Sequence, residues 1–140
     1  MHTTAQTKLL GVFGYPIAHT MSPKLHSLLA EKTGKDISYL AFLASEEEFG
    51  EKFEAAKKLG TGFNITVPHK IRVMEHLDVI DITAKRIGAV NTALLRGDTW
   101  YGYNTDGLGF LKSLDVNKRF SYSLGTNVAS VVLPSKPDLG

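Results

Sequence analysis

Cysteine is absent from this chain of 140 residues, and with it go disulfide frameworks, thiolate nucleophiles and cysteine-ligated zinc. Long apolar runs are missing too. None approaches the roughly 20 residues a membrane helix needs, and the polar start His2-Thr3-Thr4-Ala5-Gln6-Thr7-Lys8 has no secretory apolar stretch. Neither sign of charge prevails: 16 basic residues stand against 14 acidic ones. The basic residues are scattered, which indicates neither nucleic acid nor a membrane surface as a partner. Nucleotide motifs are lacking as well. Gly107-Leu108-Gly109 has no third glycine and falls within a helical pattern, Gly125 stands alone, and no Gly-x-x-x-x-Gly-Lys occurs. The five histidines form no ligand cluster; His69 and His76 are seven apart with no acidic partner in a zinc pattern, so no metal site is expected. Together these absences fit a soluble protein of the reducing cytoplasm with no cofactor site of its own.

What is present can bury one core, since 43% of the residues are hydrophobic. Short apolar runs alternate with longer segments of helical period. That pattern predicts an α/β domain with an open, mainly parallel sheet and helices on both faces, a three-layer α/β/α arrangement. Leu9 to Phe13 reads as the first strand and ends in the turn signal Gly14-Tyr15-Pro16. Ser22-Pro23 reads as an N-cap and first helical residue. The helix it opens carries Leu25, Leu28 and Leu29 on one face and stops near Gly34. Ile37 to Leu43 is the second strand. Ser45 and Glu48 form a capping box for a helix with a buried Phe49, Phe53, Ala56 stripe, ended by Gly60. Phe63 to Val67 is the third strand, stopped by Pro68. Short helical pieces are expected over 70–77 and 79–87. A hairpin of Ala89–Leu95 and Trp100–Tyr103 turns about Gly97-Asp98, and Thr105 to Leu114 forms the last helix.

Chemistry concentrates in three segments: Asn64-Ile65-Thr66-Val67-Pro68-His69-Lys70, Gly88-Ala89-Val90-Asn91-Thr92 and Asn104-Thr105-Asp106-Gly107. Open α/β sheets bind ligands just past strand ends, where Asn64, Thr66, Lys70, Asn91 and Asp106 fall. Their amides, hydroxyls, amine and carboxylate can grip a small polyhydroxylated molecule and move one of its protons. Each also has a duller reading. Asn64 and Asn91 can satisfy backbone groups in bends, Asp106 can cap the last helix, and Lys70 can be an ordinary lysine at a helix start. A lysine serves as acid or base when desolvation brings its pKa from about 10.4 towards 7–8. A carboxylate partner pulls the other way, so a Lys70–Asp106 pair relays protons only in a closed, dry site. Thr20 and Ser22 put two hydroxyls at a helix N-terminus, which suits a ligand carboxylate, or Ser22 simply caps that helix.

With these motifs in their order, the chain resembles the amino-terminal, substrate-binding domain of the shikimate dehydrogenase family over residues 8–114. The resemblance rests on those three segments and on Gly14-Tyr15-Pro16-Ile17-Ala18-His19-Thr20-Met21-Ser22-Pro23. It implies NADPH-dependent reduction of 3-dehydroshikimate to shikimate, a step towards chorismate and the aromatic amino acids. It implies that Lys70 is the catalytic lysine and Asp106 its partner on the substrate's hydroxyls. Asn91 and Thr66 become further hydroxyl and carboxylate contacts, and Thr20 and Ser22 correspond to the family's paired serines. Thr20 departs from that pair by a methyl group, which leaves a quinate-accepting relative open. Tyr15 stands where the family commonly has asparagine.

The family continues into a strand and a glycine-rich turn that hold NADP, and Lys118-Arg119-Phe120 resembles the approach to that strand. Ser121 to Asn127 does not resemble the turn. Residues 115–140 are accordingly expected to be a divergent tail, a remnant of the missing dinucleotide-binding domain, left by a reading-frame change or premature stop just after Phe120. The coding DNA tests this. Three functions follow: an oxidoreductase by descent with weak or no turnover, a non-catalytic shikimate-binding module, or an unstable fragment that self-associates through exposed apolar surface.

Overall fold

The computed structural model of the chain describes residues 2–107, 109, 111 and 112. The tail 115–140 and the end of the last helix lie outside the described residues. The rest is a six-stranded, mostly parallel sheet flanked by helices. Strands β1 (Lys8–Gly14), β2 (Ile37–Leu43), β3 (Gly62–Ile65), β4 (Val79–Ile80), β5 (Thr92–Arg96) and β6 (Thr99–Tyr103) stand in the order β2-β1-β3-β5-β6-β4. β1 pairs in parallel with β2 and β3, and β4 with β6; β5 runs antiparallel to both β3 and β6. One rim therefore collects the carboxyl ends of β1, β3 and β6 together with the start of β5.

Adjacent residues of β1 point to opposite faces. Phe13 enters the larger core with Phe63, Ile65, Ala93 and Trp100 of the sheet, under Phe49, Phe53 and Ala56 of α2 (Phe49–Lys57). Val73 of the 3₁₀ turn Arg72–His76 and Ala84 of α3 (Ile82–Ile87) complete that layer. Val12 faces the other way, with Ile17 and Tyr39, under α1 (Ser22–Thr33). The two-faced, three-layer arrangement is the expected one.

Local chemistry explains most boundaries. The capping box is formed: Ser45 N donates to Glu48 Oε1 at 3.1 Å and Glu48 N to Ser45 Oγ at 3.2 Å. α1 ends at Gly34, whose φ of 70° is the left-handed conformation favoured by glycine. The hairpin turns at Gly97, φ 61°. Three expectations need correction. The stretch expected to be helical over 79–87 opens with strand β4, because Val79 and Ile80 complete the sheet edge beside Tyr101 and Gly102. Ser22 is not the side-chain cap of α1; Thr20 Oγ1 accepts from Ser22 N at 3.2 Å instead. Leu25, Leu28 and Leu29 stay about half exposed, because α1 buries Ala30 and lays His26 on Tyr39.

Candidate functional site

The loops after β1 and β3 are tied together by Tyr15 N donating to Val67 O at 3.0 Å. Between them lies a cavity of about 280 Å³ lined by Pro16, Ile17, Ala18, His19, Thr20 and Thr66. Gly14 permits this approach, since a Cβ there would stand 2.5 Å from Thr66 Cγ2 and 2.8 Å from Ile17 Cδ1. Thr66 is fixed by its own N–H, which donates to Phe13 O at 2.9 Å.

Lys70 and Asp106, 36 positions apart, meet on this rim: Lys70 Nζ donates to Asp106 Oδ2 at 2.9 Å. Asn91 Nδ2 donates to the other carboxylate oxygen at 2.8 Å and to Thr105 Oγ1 at 3.0 Å. The Lys70 hydrogen bond above all, helped by Asn91 and opposed by desolvation, holds the Asp106 carboxyl below its ordinary value. Helical structure begins at Asp106, whose backbone N–H is met by Asn104 Oδ1 at 3.0 Å and whose carboxylate meets Lys70 and Asn91. For Asn91 the dull reading holds in part, because its Oδ1 accepts from Thr105 N at 3.0 Å. Asn91 precedes the antiparallel β5, rather than lying within a strand that starts at Ala89.

Asn64 belongs to the same assembly. It receives the Tyr39 hydroxyl at 2.7 Å on Oδ1 and donates from Nδ2 towards Thr92 Oγ1 at 3.4 Å. Thr92 in turn donates to Asn91 Oδ1 at 2.9 Å. One hydrogen-bonded row thus runs from β2 across the sheet to Lys70. Ser22 adjoins its far end, beside the Tyr39 hydroxyl. Of the seven residues expected in the site, Lys70, Asn91, Asp106 and Asn64 form the row, Thr20 and Thr66 line the cavity, and Ser22 adjoins Tyr39.

Two contributors escape a reading of the sequence alone. Tyr39 looks like one more strand residue, and His69 like a lone histidine. His69 is fully buried, stacks on Phe49 with ring centroids 4.3 Å apart, and donates from Nε2 to Ala44 O at 2.6 Å. It pins the turn that carries Lys70, whose carbonyl accepts from Val90 N at 2.8 Å. Burial lowers the His69 pKa, outweighing the Ala44 hydrogen bond, which raises it. A depressed folded pKa means the unfolded chain binds the proton more readily. The stabilisation is complete above the unfolded value near 6.5 and fades as pH falls towards the folded one. The urea midpoint is therefore expected to drop between about pH 7.5 and about pH 5.5, and to drop less in His69→Phe. Equal drops in both would remove His69 as the cause.

A sequence profile described as the shikimate dehydrogenase substrate binding domain matches residues 12–93. The chain belongs to the shikimate dehydrogenase family. A shikimate dehydrogenase (NADP(+)) of Bacillus mycoides (strain KBAB4) is 49% identical over 108 residues, 76% of this chain and 39% of the relative. The shikimate dehydrogenase structure from Aquifex aeolicus superposes with a TM-score of 0.79 at 44% identity, covering 83% of this chain and 44% of that one. A shikimate 5-dehydrogenase from Listeria monocytogenes, solved in complex with shikimate and NAD, gives a TM-score of 0.79 at 31% identity, covering 83% and 40%. The chain thus spans about two fifths of the length of these shikimate dehydrogenases, and the matched part is their substrate-binding domain. No helix among the described residues is long and apolar enough to cross a membrane.

Gly107 and Gly109 lie in the helix that starts at Asp106, and that helix is reached through Asn104-Thr105 rather than a glycine-rich turn.

Proposed function

We propose that this chain binds shikimate and 3-dehydroshikimate at the rim described, as the cytoplasmic substrate-binding half of an NADP-dependent shikimate dehydrogenase. The observation that carries this is the Lys70–Asp106–Asn91 cluster, closed at 2.9 and 2.8 Å beside the Thr20–Thr66 cavity. A cyclic hydroxy acid has two ends to satisfy. Its carboxylate suits the hydroxyls of Thr20, Ser22 and Thr66 and the N–H of Asn64. Its ring hydroxyls suit Asp106, an acceptor, with Lys70 and Asn91 as donors.

Lys70 carries the proton that a ring carbonyl oxygen needs to become a hydroxyl, and it takes that proton back in the reverse direction. Asp106 keeps the ammonium group in place and accepts a neighbouring ring hydroxyl. NADPH supplies the hydride in this family's reaction. The rim is open to water, with the Lys70 and Asp106 side chains 31% and 58% exposed, so a polypeptide of these 140 residues alone is expected to bind weakly and turn over little or nothing. Residues 115–140 are part of the same proposal, as a tail that diverges from the family's dinucleotide-binding strand and turn.

Titration with shikimate and with quinate tests the binding. Saturation by shikimate with a dissociation constant in the range of roughly 0.1–10 mM is expected. A preference for quinate would reassign the ligand, an outcome that the extra methyl of Thr20 leaves open. A steady-state assay with NADPH and 3-dehydroshikimate tests the other half: sustained turnover by this polypeptide would refute the substrate-side assignment. Micromolar binding without turnover would favour a binding module.

A further inference from the structure

Strands β2 and β3 flank β1, so residues on them stand two strand spacings, about 9.6 Å, apart. In the register, Tyr39 lies beside Leu10 and Asn64 beside Val12, one same-face step closer to the rim. Tyr39 thus reaches diagonally over β1 to place its hydroxyl on Asn64 Oδ1 at 2.7 Å. Its ring is held from above by His26, stacked at 4.1 Å between centroids with an interplanar angle of 9°. His26 is itself anchored, Nδ1 donating to Ser22 O at 2.9 Å. The tyrosine is 6% exposed, and nothing about packing requires an oxygen at its tip; a phenylalanine would fill the same space.

The oxygen does have a consequence at Asn64. An asparagine amide can lie either way round, and only its partners decide. On one side, Thr92 spends its hydrogen on Asn91 Oδ1, so its oxygen is left to accept; the bond from Asn64 Nδ2 is long, at 3.4 Å. On the other side stands the Tyr39 hydroxyl, which donates. Burial pushes its pKa up to about 12, against a smaller lowering by the Ser22 hydroxyl. It therefore remains a donor at any ordinary pH. With Oδ1 held by Tyr39, one Nδ2 hydrogen faces Thr92 and the second is left for a ligand. Reversed, Asn64 would turn a carbonyl oxygen towards a ligand carboxylate, and the two would repel.

We infer that Tyr39 is a positioning residue of the site: its hydroxyl locks the Asn64 amide so that an N–H, not a carbonyl, meets the ligand's carboxylate or hydroxyl oxygen. The inference rests on the ligand class proposed above. It adds a specificity element reaching the rim from β2, a strand that contributes none of the seven site residues.

The test is Tyr39→Phe, which keeps the ring and its stack on His26. In the ligand-free chain, the Asn64 side-chain NH2 pair in a ¹⁵N–¹H spectrum, assigned by its loss in Asn64→Ala, is expected to shift and broaden. Shikimate is expected to bind about fivefold more weakly, as for one neutral hydrogen bond removed. Adding Asn64→Ala to Tyr39→Phe should weaken binding no further than Asn64→Ala alone. A dissociation constant within about twofold of the unsubstituted chain overturns the inference. So does a double variant whose losses multiply, the behaviour of a tyrosine that merely stabilises the fold. If the unsubstituted chain binds no shikimate, the functional proposal fails by itself. The NH2 pair then decides on Tyr39: displacement in Tyr39→Phe upholds the lock, and an unmoved pair refutes it.

Discussion

Lys70→Ala is expected to weaken shikimate binding by about 10- to 100-fold while leaving the folding midpoint nearly unchanged. Both halves follow from one geometry. The Lys70–Asp106 pair is short, at 2.9 Å, but its side chains are 31% and 58% exposed. Exposed ion pairs contribute about 0–1 kcal/mol to stability because water screens them. A ligand on the rim adds a charge-assisted hydrogen bond from Lys70 to its hydroxyl oxygen, worth about 1.5–3 kcal/mol. Any turnover measured with NADPH should fall further, by about 10²- to 10⁴-fold, the usual contribution of a positioned acid or base. Titration calorimetry and a thermal melt on the same preparations check the prediction. Unchanged binding would remove Lys70 from the site, whereas a collapsed melt would show it to be part of the fold.

The same variant has a signature in Asp106. Its carboxyl is held below the ordinary value chiefly by the Lys70 hydrogen bond. A depressed carboxylate stabilises the fold above the unfolded pKa near 3.8 and loses that contribution as pH falls through the folded value. The Asp106 carboxylate is therefore ionised throughout the neutral range, and pH dependence of binding near neutrality does not come from it. Removing Lys70 leaves desolvation opposed mainly by Asn91, so the carboxyl should titrate higher in Lys70→Ala.

Local signals in the sequence locate β2 with its bounds, the Ser45–Glu48 capping box, the hairpin about Gly97 and the stop at Gly34. Each depends on residues within about four positions of one another, which is the range over which capping and turn chemistry act. The misses are of another kind. Strand β4 has two residues, too few to show a period, and it exists because β6 offers an edge. The exposed stripe on α1 follows from what the helix rests on, namely Tyr39 and β2, rather than from its own pattern. In the site, Lys70, Asn91 and Asp106 are legible as polar residues crowded at strand ends. Tyr39 is not, because its role depends on β1 lying between β2 and β3. Nor is His69, whose anchor is the carbonyl of Ala44, 25 positions away.

Phe13→Ala separates fold from site in the opposite sense and should be the most damaging single change in the described part. The ring is fully buried and surrounded by aromatic partners: Phe42 stacked at 4.8 Å, with Phe63, Phe53 and Phe49 edge-on at 5.4, 5.5 and 5.7 Å. Truncation leaves a cavity lined by rigid rings on a sheet and a helix, which collapse poorly into it. A cost of about 3–5 kcal/mol is expected, against a total stability of about 5–15 kcal/mol for a domain of this size. The urea midpoint should fall by about 2 M with an unchanged slope; a fall below about 0.5 M would mean that the rings repack. Shikimate binding should weaken with the loosened packing, because strand β1 sets the Phe13 carbonyl that holds Thr66 N at 2.9 Å beside the cavity. Phe13→Leu, which refills most of the space, should recover much of the stability and with it the binding. Lys70→Ala admits no such rescue, because in that variant the fold is expected to be intact and only the amine is gone.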